Sequence, residues 1–319
     1  MWTQIDVYLN NQLVSLNTSH YHWKAYIKTI LSSGSDEQNS QLQSQLYFED
    51  DDPMDSLTLN SSLINRYEYT KISREFEMEG PLMEDVFGLD KYITQGVDLY
   101  IKLYRSSNPL VLISGETNPD YKLQILDVAL KACKVKVDSG IIVNHMNTIE
   151  VTSAKYFFNR TEIKKNTIAK DVSGFIWDIM FSVKPSLLVI GLISQTNGNG
   201  MYVGNPLNLK HYSATEVGLY LNGKNAPSRP LKLDFGDDRK YDTAYLNLFE
   251  ACEKINKDAG LNLCRDDCGH GYVLYVFPFN PNCLNAQSRT FLWKSNLNKI
   301  IQDAIIVSVS VFKHGYSVT

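Results

Sequence analysis

No stretch of this chain stays apolar for long: runs such as Leu187 to Ile193 fall far short of the ~18 residues needed to span a bilayer. Residues 1 to 30 also lack the basic start and apolar core of a secretory leader. The expectation is a soluble, non-secreted chain without a membrane span. Cysteine is sparse too, five in 319 residues, an odd number without the spacing of a disulfide framework. A reducing compartment follows, and the sequons at Asn17, Asn60 and Asn159 then carry little meaning. Positive charge is not in surplus. Lys and Arg number 31 against 35 Asp and Glu, a formal net charge of −4, whereas phosphate recognition normally needs a basic face. Direct sequence-specific nucleic-acid binding is not expected.

What the chain does have is strand formers. Its 13 Phe, 19 Tyr and 44% hydrophobic content describe an ordered globular protein, and its length suits roughly two domains. An internal echo agrees. Gln4 to Gln12 (QIDVYLNNQ) resembles Glu216 to Lys224 (EVGLYLNGK) at an offset of 212. In both, apolar residues alternate, Ile5, Val7 and Leu9 against Val217, Leu219 and Leu221, the period of a half-buried strand. Asn10-Asn11 and Asn222-Gly223 follow, pairs that tolerate the positive φ of a tight hairpin turn. A fainter echo joins Val97 to Arg105 with Ile305 to Lys313, at an offset of 208. Tandem β domains are predicted. The second copy has β-like sequence upstream from Ser153, while the first begins at residue 4. The first domain is therefore expected to be short of its opening strands, leaving unpaired sheet edges.

Strands are predicted at 4 to 9, 75 to 79, 97 to 105, 123 to 137, 155 to 168, 187 to 194, 216 to 221, 272 to 279 and 304 to 312. A phase slip between Leu130 and Cys133 predicts a β-bulge. Helices are few and short and lie in connections: one carrying Trp23, Ile27, Ile30 and Leu31 on a single face, a second around Leu42 and Leu46, and a third from Asp242 to about Asp258 stopped by Gly260. The third has Tyr245, Leu248, Phe249, Cys252 and Ile255 on one stripe. This is an all-β pattern of jelly-roll or immunoglobulin type. A polar stretch from Asp138 to Ser153 places the boundary, giving domains at residues 1–140 and 141–319.

Candidate sites are thin. Cys264, Cys268, His270 and Cys283 form C-x3-C-x-H-x12-C, four zinc-capable side chains within twenty residues. Structural zinc usually has two close ligand pairs, and Cys283 stands alone, so loop or core thiols are expected and no metal or cofactor. His20-Tyr21-His22 has the H-x-H of a cupin, but residues 23 to 30 hold no Glu, which makes a helix-entry feature the expectation. Gly198-Asn199-Gly200 lacks the Lys-Ser/Thr ending of a phosphate loop and is read as a turn. Glu49 to Asp52 lacks the spaced ligands of a calcium loop and is read as a solvated acidic turn. No Ser, His and Asp arrangement stands out, and no catalytic residue is expected.

Gln4 to Leu13, Gly96 to Leu103, Asn205 to Leu209 with Val217 to Pro227, and His270 to Phe277 closely resemble the major capsid proteins of Polinton (Maverick) elements and the related adintoviruses. The resemblance runs along essentially the whole chain. It implies a double jelly roll, two eight-stranded sandwiches in tandem, in trimers that tile an icosahedral shell as pseudo-hexamers. It further implies a structural protein of the virion that partners itself, then a capsid lattice, with a penton or minor capsid protein as a further partner. Three departures stand out: the family has a substantial segment before the equivalent of Trp2, relatives continue a little beyond Thr319, and Cys268 stands where an aromatic residue is common. Two rival readings are a jelly-roll module that binds carbohydrate or protein, which needs a shallow aromatic groove, and a cupin-like metal enzyme, which needs ligands converging inside a barrel.

Overall fold

The computed structural model describes residues 1–16, 18–180, 185–221, 224–225, 229–258, 260–279, 290–297 and 304–318. The chain opens with β1 (Trp2–Leu9) and β2 (Gln12–Leu13), then the helices α1 (Tyr21–Ser32) and α2 (Ser61–Thr70), then β3 (Leu99–Arg105) and α3 (Ser139–Val151). It continues with β4 (Ala154–Ile168), β5 (Gly174–Met180), β6 (Leu187–Ser194), β7 (Ala214–Leu221), β8 (Lys224–Asn225) and β9 (Leu231–Lys232). Helix α4 (Asp242–Ala251) precedes β10 (Leu274–Pro278), β11 (Thr290–Leu297) and β12 (Ala304–Val318).

From β4 onward the strands form two antiparallel sheets, one in the order β10-β6-β12-β4 and one in the order β5-β11-β7-β8 with β9 also on β7. The chain crosses from sheet to sheet between β4, β5, β6 and β7 and again between β9, β10, β11 and β12. One core lies between the sheets, where Leu188, Ile190, Leu192, Tyr275 and Phe277 meet Ile179, Val217 and Leu219. The alternate residues of the same strands, Val189, Ile193, Leu274 and Val276, enter a second core on the opposite face with Trp23, Ile27 and Ile30 of α1. That explains the run Leu187 to Ile193: a strand buried on both faces cannot alternate. Each such side chain contributes about 1.5–3 kcal/mol of burial.

The first unit is a three-stranded sheet, β2-β1-β3. Ile5, Val7 and Leu9 face a third core with Val14, Tyr21 and Val86. Helix α1 is thus wedged between sheets, with Trp23, Ile27 and Ile30 toward the second unit and Tyr21 and Ala25 toward β1. The β1–β2 turn is a two-residue loop with positive φ at Asn10 (47°) and Asn11 (64°), the primed geometry that suits strand twist. Its partner turn, Asn222-Gly223, lies outside the described residues. The flanking ladders nonetheless repeat: Leu9 pairs with Gln12 and Tyr8 with Leu13, as Leu221 pairs with Lys224 and Tyr220 with Asn225, an offset of 212 throughout.

The fainter echo fails on topology. β3 lies beside β1 with Tyr8 opposite Tyr100, as β11 lies beside β7 with Tyr220 opposite Leu292, whereas β12 belongs to the other sheet. The counterpart of β3 by position is β11, because period-two alternation is common to all half-buried strands and does not distinguish neighbours. Residues 75–79 and 123–137 form no strand. The first region instead joins the turn at Gln41–Gln45, Glu79 donating its amide to the Ser44 carbonyl at 3.0 Å. Helix α4 ends at Ala251 rather than near Asp258, because Glu253 and Asn256 take positive φ, and Ile255 is left exposed. The stretch expected to be irregular at Asp138 to Ser153 carries α3, capped by the Asp138 carboxylate accepting from the Gly140 amide at 2.8 Å. Strands β5 and β11 and helix α2 were not expected.

Candidate functional site

Of the predicted thiol and histidine cluster, Cys268 lies on a single short turn, Asp267–Gly269, which Cys264 precedes and His270 follows. Cys264 is exposed and Cys268 buried. The Cys264 amide donates to Asp267 Oδ2 at 2.6 Å, and His270 Nδ1 lies 2.9 Å from the Asp266 carbonyl. Burial pushes the Cys268 thiol up to about 12, with the Asp267 carboxylate adding to the effect. Burial and a hydrogen bond to Asp267 also raise Cys264. Both effects favour the thiol over the thiolate. Cys283 lies outside the described residues. Among the described residues no three His, Cys, Asp or Glu side chains converge as a metal-holding group.

His20 and His22 stand at the entry to α1, their rings 5.3 and 4.6 Å from that of Trp23. Both ring nitrogens of His22 are buried without a hydrogen-bond partner among the described residues, and burial brings its pKa down to about 3. Between them, Tyr21 accepts the Met83 amide at 2.8 Å on its hydroxyl. Gly198 closes a single helical turn and Gly200 has φ +88°, so this glycine pair serves a turn.

The acidic turn is only half solvated. Asp51 and Asp52 are exposed, but Asp50 is buried. Its Oδ1 accepts from Asn60 Nδ2 at 3.2 Å and from an Arg66 guanidinium nitrogen at 3.1 Å, and its Oδ2 from Asn205 Nδ2 at 3.3 Å. Its amide donates to the Tyr272 hydroxyl at 2.8 Å. Nearby Asp55 accepts the Asn205 amide at 2.7 Å and Asn208 Nδ2 at 2.9 Å, and pairs with Lys210 at 3.4 Å. These two carboxylates tie the loop before α2 to the segment between β6 and β7. Asp55 also borders an open cleft of about 330 Å³ that includes Lys210, His211 and His270. With both oxygens occupied, it has little left to offer a ligand.

A second polar junction was missed in the sequence. Lys24, on α1, is 3% exposed and reaches Glu84 Oε2 at 2.8 Å and Asp85 Oδ2 at 3.1 Å. Asp85 in turn accepts from Lys28 at 3.1 Å and from the Thr161 amide and hydroxyl of β4 at 2.7 and 2.9 Å. Burial raises the Glu84 carboxyl pKa, opposed by Lys24. Charges taken out of water need such partners, so the network fixes where β4 sits against α1. The only sequence signal was a lysine close to the apolar face of a predicted helix.

Among the described residues, exposed apolar side chains recur between residues 121 and 151. Leu126, Val128 and Leu130 are 64, 54 and 57% exposed along an extended segment, and Val151 at the end of α3 is 86% exposed. Ile141, Val143, Met146 and Ile149 are exposed on the same helix. Helices apolar on several sides are normally buried, and clustered exposed apolar side chains mark contact sites. Among the described residues, β3, β4 and β5 also end their sheets without a further strand, and such edges can pair with another chain.

No protein-family model matches the chain. An uncharacterized protein of Caenorhabditis elegans is 23% identical over 293 residues, which cover 86% of this chain and 65% of that protein. The chain thus spans just under two thirds of the length of this curated relative. Among solved structures, PBCV-1 VP54 fitted into a reconstruction of the virophage Sputnik aligns over 100% of this chain and 83% of its own, with 9% identity and a TM-score of 0.42. A quasi-atomic PBCV-1 virus capsid aligns over the same shares with 8% identity and a TM-score of 0.39. Scores of this size do not establish a shared fold, so the architecture rests on the strand ladders.

Proposed function

We propose that this chain is a structural capsid subunit, a double jelly roll with units at residues 1–140 and 141–319. The observation that carries the reading is the winding of β4 to β12. Eight-stranded jelly rolls alternate between two sheets in this order, with the last strand between the first and third, as β12 lies between β4 and β6. The hairpin ladder repeated at an offset of 212 supports a second unit of the same kind. In this reading the chain forms homotrimers that act as pseudo-hexamers of an icosahedral shell, encoded by a virus or an integrated element of the Polinton (Maverick) or adintovirus kind. Its partners are itself, the lattice and a penton or minor capsid protein, its location is the virion, and it does no catalysis. Obligate contacts of such shells are large and apolar, which suits the exposed surface at 121–151.

Light scattering across a concentration range tests the reading. Self-association, to discrete trimers or beyond, is expected. A stable monodisperse monomer would sink it and favour the binding-module alternative. One observation favours that alternative: Tyr8 and Tyr100 stand 5.8 Å apart on the outer face of the small sheet, with Lys102 over the Tyr104 ring at 4.8 Å. Saccharide binding by the monomer, lost in Tyr100→Ala, would point there.

A further inference from the structure

The segment 123–137 has the side-chain period of a strand but no strand beside it. Leu126, Val128 and Leu130 alternate along it, and it makes no backbone-to-backbone hydrogen bond with any described residue. Two of its backbone groups are engaged by side chains, the Leu123 carbonyl by Arg105 and the Val128 amide by Asp127 Oδ1 at 2.8 Å; backbone N–H and C=O groups outside any ladder, flanked by alternating apolar side chains, are a template for addition to a sheet edge. The segment is held beside its own first unit, where Arg105 reaches the Leu123 carbonyl and Lys131 pairs with Glu79. An edge that completes it comes most readily from another molecule.

Among the described residues three edges of useful length carry no further strand: β3 on the side away from β1, β4 away from β12, where Asp85 already takes the Thr161 amide, and β5 away from β11. The β10 edge is less available, since α4 packs along that strand. Charge discriminates among the three. The segment carries Lys131, Lys134 and Lys136 against a single Asp127. Strand β3 carries Lys102 and Arg105 and no acid, and β4 carries Lys155, Arg160, Lys164 and Lys165 against Glu162. Both repel a basic strand laid alongside. Strand β5 carries Asp178 and no basic residue, and it presents Ile176 to solvent.

We propose that residues 123–137 of one molecule add as a strand to the open β5 edge of a second copy of this chain. The inference deepens the assembly reading by naming one of its contacts, and it rests on that reading only in requiring that copies meet.

The test is the dissociation constant for self-association, measured by light scattering and sedimentation on the full chain. Leu130→Pro removes a backbone donor needed by an added strand and lies in a segment without a ladder, so folding should be unchanged, as thermal melts would verify. Leu130→Pro and Asp178→Lys are each expected to weaken association by roughly tenfold or more. Lys134→Glu with Lys136→Glu should do the same, and adding Asp178→Lys to that pair should restore association. Wild-type association in Leu130→Pro would overturn the contact while leaving the assembly reading standing. Loss in Leu130→Pro without loss in Asp178→Lys, or without rescue by charge reversal, would overturn β5 as the receiving edge. A wild-type chain that stays monomeric at every concentration would overturn both the contact and the assembly reading.

Discussion

At the scale of single residues, the molecule's stability turns on a few buried polar groups. His22 is held neutral by burial, with its folded pKa near 3 against 6.5 for an ordinary histidine. The unfolded chain therefore binds the proton first. The contribution is complete above about pH 6.5 and is lost as the pH falls toward 3. By pH 4.5 the wild type should lose ~1–2 kcal/mol that His22→Phe retains, since one pKa unit is worth about 1.4 kcal/mol and the ring is not wholly buried. Urea melts of both proteins at pH 7 and 4.5 measure the difference, and equal losses would refute it. Lys24 makes the opposite case, a buried ammonium held between two carboxylates. Lys24→Met strands Glu84 and takes one of the two cations from Asp85, and should cost ~3–5 kcal/mol, whereas Lys28→Met, at the exposed rim of the same network, should cost under ~1 kcal/mol. His22 could be picked out in the sequence as part of an H-x-H pair, but its lack of partners could not, because that depends on what packs over it.

At the scale of elements, close approach decides which glycines are required. Gly271 has φ +96°, and a Cβ there would lie 2.0 Å from Met54 Sδ. Gly96 has a similar φ of +88° with nothing within 4 Å. Gly271→Ala should therefore cost ~2–4 kcal/mol by combining strain with displacement of Met54, and Gly96→Ala only ~1 kcal/mol. Thermal melts rank the two, and equal costs would mean that Met54 moves aside freely. The strands at 4–9, 187–194 and 216–221 were legible from their patterns, as was the face of α1 that bears Trp23. The segment 123–137 was misread because it has a strand's alternation, and alternation says nothing about whether a neighbour exists to pair with. Helix α3 was missed for the converse reason: its apolar residues surround the axis, so no stripe announces it.

At the scale of the whole molecule, two units are riveted through α1, with apolar contacts toward the β4–β12 sandwich and the Lys24–Asp85 network beside it. No metal is proposed to take part. The prediction is that chelation leaves the melting temperature unchanged and that elemental analysis finds no stoichiometric zinc; one tightly held zinc per chain with a large loss of stability on removal would overturn it. The sequence by itself determined the strand-rich class, the hairpin at Asn10-Asn11 and its repeat at an offset of 212, because local side-chain period and turn chemistry are properties of neighbouring residues. Only the tertiary structure decided that β3 corresponds to β11 rather than β12, that Leu187 to Ile193 is covered on both faces, and that Asp50 and Asp85 are buried hubs rather than solvated acids. Each of those depends on groups far apart in the chain, whose meeting is set by the packing of α1 between two sheets and leaves no mark on any single stretch of sequence.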